Sequence, residues 1–406
     1  MKVITDKDKI KNLLERGVEN ILVKEELEKK LLSGRRLRVY LGIDPTGPTL
    51  HMGHAIPLKK LREFQDLGHE VILLMGDFTA QIGDPTDKLA LRKKLTHKEV
   101  LSNLKKYKKQ SEIFLKWSGS NKAQIKFNSK WLAKMKLENV LELGALMTVD
   151  QMMKRDMFDR RSKEGKPIFI HEFMYPLMQG YDSVAMKVDV EIGGNDQTFN
   201  MLAGRHLMSQ MINKDKSVVA TKLLEDNTGK KMGKTEGNMV SFEDGPVDMF
   251  GKVMSWNDSL ILPGFELCTD VSLSDIESIK NELEKGKNPK DIKLKLAFEI
   301  TKLYHGEAKA NLAQEDWISK FEKKEAPKEV EEIEIEDERP LSKVLVIRGI
   351  VTSNSEARRL FDGGGVTNIT ENKKVDSKEE VKQGHVYKIG KHKFIKVTIK
   401  IRKPRD

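Results

Sequence analysis

Between residues 39 and 224, short runs of β-branched and apolar residues alternate with longer stretches of helical apolar spacing, and this alternation limits the possible folds more than any other feature. Strands that are each followed by a helix return to one sheet through right-handed crossovers, so a parallel-sheet, nucleotide-binding α/β domain is expected. The clearest strands are expected at residues 40–44, 71–76, 124–128 and 188–193. A Lys-rich helical stretch over residues 89–117, with the helices up to Phe158, reads as a connecting insertion.

After Ser241 the pattern becomes helical, with apolar spacing through Val247, Met249 and Phe250 and again over residues 292–304. The expected organisation is a catalytic domain over residues 1–240, its insertion near 89–158, and a helical domain over 241–324. Glu325-Ala326-Pro327 and the acidic run 329–338 then read as an extended linker, 325–340. In the last unit, 341–406, Ser353 and Glu356 form a capping box opening a helix that carries Arg358 and Arg359. Gly363-Gly364-Gly365 then turns the chain toward strands that end in a basic, alternating segment.

A chain of 406 residues can hold two or three such cores. Its 33% charged residues and mean hydropathy of −0.51 fit a soluble globular protein. The net charge of +11 suits a polyanionic partner, although lysine-rich solvated helix faces would give the same balance. A lone Cys268 argues against a disulfide framework and fits a reducing cytoplasm. Residues 1–10 lack the apolar run of a secretory signal, and the apolar segment 71–75 is too short to span a bilayer, so no membrane association is expected.

Two motifs carry the chemistry. The strand Val39-Tyr40-Leu41-Gly42-Ile43-Asp44 runs through the turn Pro45-Thr46-Gly47-Pro48 to His51-Met52-Gly53-His54 and an amphipathic helix expected from Ala55 to Leu67. His51 and His54 share one face of the helix start. Backbone N–H groups and the helix dipole favour an anion there, and two imidazoles can complete a phosphate-stabilising site. Far downstream, Lys231-Met232-Gly233-Lys234-Thr235 would bring mobile positive charge to the same anion, which points to ATP opened at its α-phosphate. Read alone, the histidines could be a helix cap with surface imidazoles. Zinc is disfavoured because there is no His-Glu-x-x-His pattern and only one cysteine, so no metal site is expected.

Together the two motifs resemble the HIGH and KMSKS signatures of class I aminoacyl-tRNA synthetases. The segment from Tyr40 to His51 and most of the chain after it are similar to bacterial tyrosyl-tRNA synthetases. The resemblance implies a Rossmann-like parallel-sheet catalytic domain, a helical domain and a small C-terminal S4-like α+β domain. It further implies a homodimer formed through the insertion, and L-tyrosine, ATP and tRNA(Tyr) as substrates. In the loop from Gly76 to Thr86 it places the tyrosine ammonium on Asp84, and it places Lys88 and Arg92 near the ATP phosphates. ATP contacts are expected at Gly42, Asp44, Thr46, Gly53, Gly193, Asp196 and Lys234, with Mg²⁺ arriving as part of the ATP complex and no tightly bound cofactor.

Tyr175, Gln179 and Asp182 fall at i, i+4 and i+7, so a helix aligns them on one face, either toward solvent or lining a pocket. Pro176 requires that this helix either begins there or bends. The resemblance puts Tyr175 and Gln179 at the substrate ammonium and Asp182 and Tyr40 at its hydroxyl. Binding phenylalanine would leave those buried polar groups unpaired, so no editing domain is expected. In Ile192-Gly193-Gly194-Asn195-Asp196-Gln197 the glycines let a ribose approach the backbone, unless they serve only as a turn. By resemblance Asp196 takes the ribose and Gln197 the tyrosine carboxyl end, while Arg358 and Arg359 of the S4-like unit take RNA phosphates. Two other readings stand beside this one: the related tryptophan enzyme, and an RNA-binding protein on an inactive synthetase scaffold.

Overall fold

Six strands form the sheet of the first unit: β1 (Val18–Leu22), β2 (Arg38–Ile43), β3 (Glu70–Met75), β4 (Gln124–Phe127), β5 (Val190–Gly194) and β6 (Ser217–Thr221). Their spatial order is β1-β6-β5-β2-β3-β4. The strands from β6 to β4 are mutually parallel, and β1 closes one edge antiparallel to β6. The computed structural model describes residues 2–85, 95–225, 239–321, 330–335, 339–371, 373–390 and 393–400. It divides into two units, Met1–Ala310 and Asn311–Asp406.

The four expected strands correspond to β2 to β5. β3, Glu-Val-Ile-Leu-Leu-Met, is buried everywhere but at Glu70, which is how a parallel strand covered on both faces reads. Neither β1 nor β6 was among the expected strands, although Ser217-Val218-Val219-Ala220-Thr221 of β6 is buried throughout. In β1, Glu19 and Asn20 are exposed, so it lacks the apolar run that marks an inner strand. β2 leads through Met52–Asp66 to β3 on one side, whereas the chain returns from β4 to place β5 on the other side of β2. The strand order therefore reverses at β2 and β5, and such a reversal leaves a crevice at the carboxyl ends of the strands. No described helix is long and apolar enough to cross a membrane.

Beyond the sheet, Pro246–Met254, Ile261–Cys268, Leu273–Glu284 and Pro289–His305 are helical, in line with the pattern after Ser241, and Pro289–His305 buries Ile292, Leu296 and Ile300. The helix Glu307–Phe321 contains the boundary between the units.

The second unit has its own five-stranded sheet: β7 (Glu331–Ile335), β8 (Val366–Asn368), β9 (Lys373–Lys374), β10 (Val386–Ile389) and β11 (Lys393–Ile399), ordered β7-β11-β10-β8-β9. Part of the acidic run read as a linker is thus a strand. In Glu-Glu-Ile-Glu-Ile the residues Ile333 and Ile335 are buried, and the glutamates face lysines of the parallel neighbour β11, with Glu332 2.6 Å from Lys396 and Glu331 3.5 Å from Lys393. Alternation and partner charge outweigh the self-repulsion that the acidic block signals alone. The helix Asn354–Asp362 is capped by Ser353, which accepts from the Glu356 N–H. Glu356 reaches back to Thr352, one residue earlier than the expected box requires. Arg358 and Arg359 are exposed on this helix.

Candidate active site

The crevice at the strand reversal holds a cavity of about 370 Å³. Residues Tyr40 to Asp44 of β2 and its exit and Glu191 to Gly194 of β5 form its floor, and Thr46, His51, Gly53 and His54 stand at one side. Asp84, Tyr175, Gln179, Asp182, Asp196 and Gln197 also line it, so the structure gathers every described residue that the sequence pointed to within the catalytic domain.

The helix after β2 begins at Met52, three residues before the expected Ala55, because His51 itself is the N-cap. Its Nδ1 accepts from the Gly53 N–H at 3.2 Å, and Nδ1 of His54 accepts from the His51 N–H at 3.2 Å. Imidazole is outside the usual Ser, Thr, Asp and Asn capping set, which is why the helix start was read late. The cap and the phosphate site are therefore not alternatives. With both Nδ1 atoms accepting, neutral imidazoles carry their hydrogen on Nε2, the tautomer that can donate to an anion at the helix start. The two rings lie 4.1 Å apart.

Lys231, Lys234 and Thr235, like Lys88 and Arg92, lie outside the described residues. Both flanks of the first three are described and adjoin this site. Thr221, Lys222, Leu223 and Leu224 line the cavity, and on the far side Met52 N–H donates to Val240 and Phe242 N–H donates to Leu50.

Deeper in the cavity the helix Ile170–Met186 carries Tyr175, Gln179 and Asp182 on the face that lines it. Pro176 sits well past the first turn, so the helix does not begin there, and the polar stripe keeps its alignment across it. Asp182 is buried and accepts from Trp131 Nε1 at 2.7 Å and Asn128 Nδ2 at 3.2 Å. Burial holds its carboxyl well above the usual aspartate range against those two donors, with Asp44 and Glu191 adding to the rise. Tyr40 is buried, and its hydroxyl lies 2.9 Å from Ser183 Oγ. Desolvation, then Glu191 and Asp182, push its phenol well above the ordinary range, so it keeps its proton.

On the same helix, Tyr175 donates to Asp44 at 2.8 Å, and Thr79 donates to the other Asp44 oxygen at 2.7 Å. Burial followed by the Asp44 charge raises the Tyr175 phenol as well. A side chain at Gly76 would put its Cβ 1.9 Å from Asp44 Oδ1, so this arrangement requires glycine. Asp84 accepts from Arg155 at 2.9 Å, Gln197 at 3.0 Å and Asn200 at 3.3 Å. The sequence reading missed Thr79, Asn128, Trp131, Arg155 and Asn200. Asn128 and Trp131 follow directly after β4, at the carboxyl end of a parallel strand, and that position was a usable signal. Arg155 sits in the insertion, where nothing in the sequence links it to Asp84.

A family model described as class I tRNA synthetases (W and Y) matches residues 32–322. A protein named tyrosine–tRNA ligase 2 from Pseudoalteromonas translucida is 43% identical over 392 residues, spanning 95% of this chain and 98% of that one. A tyrosine–tRNA ligase from Haemophilus ducreyi is 44% identical over 389 residues, 95% of this chain and 97% of its own. Among solved structures, a C-terminally truncated mitochondrial tyrosyl-tRNA synthetase from Coccidioides posadasii is similar with a TM-score of 0.62 at 26% identity, covering 77% of this chain and 92% of that one.

Proposed function

The chain belongs to the class I tRNA synthetases of the tryptophan and tyrosine group, with nearly full-length similarity to bacterial tyrosine–tRNA ligases, and from this membership we infer how its cavity works. The activity is tyrosine–tRNA ligation: ATP and tyrosine give tyrosyl-adenylate and pyrophosphate, and tyrosine then passes to the 3′ end of tRNA.

In the first step a tyrosine carboxylate oxygen attacks the α-phosphorus in line and the bond to pyrophosphate breaks. In the second, a terminal ribose hydroxyl of tRNA attacks the acyl carbon and AMP leaves. No covalent enzyme intermediate is needed, so the side chains act by positioning and by stabilising charge. His51 and His54 donate from Nε2 to the phosphates. Lys88, Arg92, Lys231, Lys234 and Thr235 supply the remaining positive charge and hydrogen bonds, and Mg²⁺ arrives with the triphosphate. Gly42, Asp44, Thr46, Gly53 and Gly193 border the nucleotide, Asp196 holds its ribose, and Gln197 steadies the tyrosine carboxyl end. Tyr40 and Asp182 hold the substrate hydroxyl, while Asp84, Tyr175 and Gln179 serve its ammonium.

The observation that carries this reading is that one cavity is lined by Tyr40 and Asp182 at its depth and by the paired imidazoles at its side. Tyrosine-dependent pyrophosphate exchange tests it. Replacing one phosphate-side donor costs about 3–4 kcal/mol of transition-state stabilisation, so the Lys231→Ala/Lys234→Ala protein should lose exchange; a normal rate rejects the lysine assignment. Exchange with tryptophan in place of tyrosine should be negligible.

Arg358 and Arg359 contact tRNA phosphates in this reading, giving salt-dependent binding. The protein acts in the cytoplasm as a homodimer. Exposed Leu137, Leu141 and Val149 of the insertion, with Phe169 and Ile170 just beyond it, support that assembly, since large exposed apolar side chains favour a partner.

A further inference from the structure

Beneath the tyrosine end of the cavity lies a buried charged group that the catalytic scheme does not use. Lys216, at the entrance to β6, is fully buried, and its ammonium pairs with Glu191 of β5, itself 2% exposed. Lys216 Nζ also donates to Ser183 Oγ at 2.9 Å. Ser183 Oγ in turn lies 2.9 Å from the Tyr40 hydroxyl, and the other Glu191 oxygen accepts from Gln179 Nε2 at 3.1 Å. The space is specifically made. The helices Ile170–Met186 and Thr198–Ile212 meet at Gly180 and Gly204, and a Cβ on Gly204 would stand 2.6 Å from the Lys216 ammonium and 3.1 Å from Ser183 Oγ.

The hydrogens admit two arrangements. Ser183 accepts from Lys216, which has no acceptor capacity, so the serine hydrogen has two possible acceptors: Glu191 at 3.3 Å or Tyr40 at 2.9 Å. Glu191 takes Lys216 on one oxygen and Gln179 on the other, and the shorter of the two serine contacts is to Tyr40. Glu191 also stands close enough to take the Tyr40 hydrogen; if Ser183 donates to the Tyr40 oxygen, that hydrogen is instead turned to the cavity, which Asp182 also lines.

We propose that Lys216, acting through Ser183 and Glu191, is a positioning residue that polarises a relay from Lys216 to Ser183 to Tyr40, presenting the Tyr40 O–H as the donor that reads the para-oxygen of tyrosine. The proposal rests on the reading of Tyr40 as a substrate contact. Burial pulls the Lys216 ammonium below the ordinary lysine range and Glu191 opposes that pull, so the pair is held together by mutual need. The consequence is a division of labour: Asp182 accepts the substrate hydrogen, and the relay supplies the matching donor.

The test is the ratio of kcat/KM for tyrosine over phenylalanine in pyrophosphate exchange. Ser183→Ala should lower the ratio by about tenfold, the loss of one buried hydrogen bond, while KM for ATP stays unchanged. In a Tyr40→Phe background Ser183→Ala should have no further effect. The Lys216→Met/Glu191→Gln protein, which removes both charges together, should reproduce the Ser183→Ala loss when circular dichroism shows it folded. The relay is overturned if Tyr40→Phe lowers the ratio and Ser183→Ala does not, if the two losses multiply independently, or if the folded double variant keeps full discrimination. A Tyr40→Phe protein with an unaltered ratio instead removes the substrate reading of Tyr40, and the relay falls with it.

Discussion

Both sheets carry lysine–glutamate pairs between neighbouring strands, but on opposite sides of the solvent boundary. In the six-stranded sheet, Lys216 and Glu191 are 0% and 2% exposed, surrounded by Ser183, Tyr40 and Gln179. In the five-stranded sheet, Lys396 and Glu332 are 39% and 59% exposed and join β11 to β7 across the surface. The contact chemistry is the same, yet the energetics differ because water can replace either partner of the second pair and neither partner of the first. A buried pair contributes little as a pair, but either half alone is costly. The exposed pair neutralises charge along an acidic strand and is screened by salt.

The largest effect expected from this contrast is that of Lys216→Met, which leaves Glu191 buried without its cation and should lower unfolding stability by about 3–5 kcal/mol in urea titrations. Adding Glu191→Gln should recover most of the loss, and a single-variant loss below about 1 kcal/mol would erase the distinction between the sheets. A smaller effect comes from His69, a buried group just before β3 with no ion pair among the described residues. Its Nδ1 accepts from the Leu37 N–H at 3.2 Å, and burial, with Arg36 adding to it and Asp189 opposing it, pulls its pKa to about 4. The imidazole is neutral in the folded protein and protonates first in the unfolded chain. Its contribution is therefore present above pH 6.5 and lost as pH falls toward 4, by up to about 3 kcal/mol. Denaturant titrations at pH 7 and pH 4 should show that extra acid sensitivity in the parent protein relative to His69→Asn. Equal pH dependence in the two proteins would contradict the assignment. The smallest effect belongs to the surface. Glu332→Gln should cost no more than about 1 kcal/mol, and the difference from the parent should vanish in high salt.

The two regions also differed in how much their sequences disclosed. β2, β3 and β5 were legible from mostly buried apolar runs, each followed by a helical period, whereas β4, exposed or half-buried throughout, shows only Ile125 and Phe127. β1, with exposed Glu19 and Asn20, offered no such run. The acidic stretch over residues 331–335 was read by its charge, whereas its buried Ile333 and Ile335 made it a strand once β11 supplied lysines opposite the glutamates. Helical spacing put Tyr175, Gln179 and Asp182 on one face despite Pro176, and the family resemblance turned that face toward a pocket. Trp131, Asn128 and Thr79, which orient the carboxylates, were not, because they belong to segments distant in the chain that meet only at the cavity.

The sequence by itself determined the parallel α/β plan, the histidine pair at a helix start and the polar face of the Ile170–Met186 helix, since each depends on residues within a turn or two of one another. Only the tertiary structure decided which carboxylates share a donor, that His51 caps the helix it was expected to precede, and that Lys216 lies beneath Tyr40. Those outcomes depend on burial and on contacts between distant strands. Loss of water turns an ordinary lysine, glutamate and serine into an oriented relay, and no local pattern records which side chains lose it together.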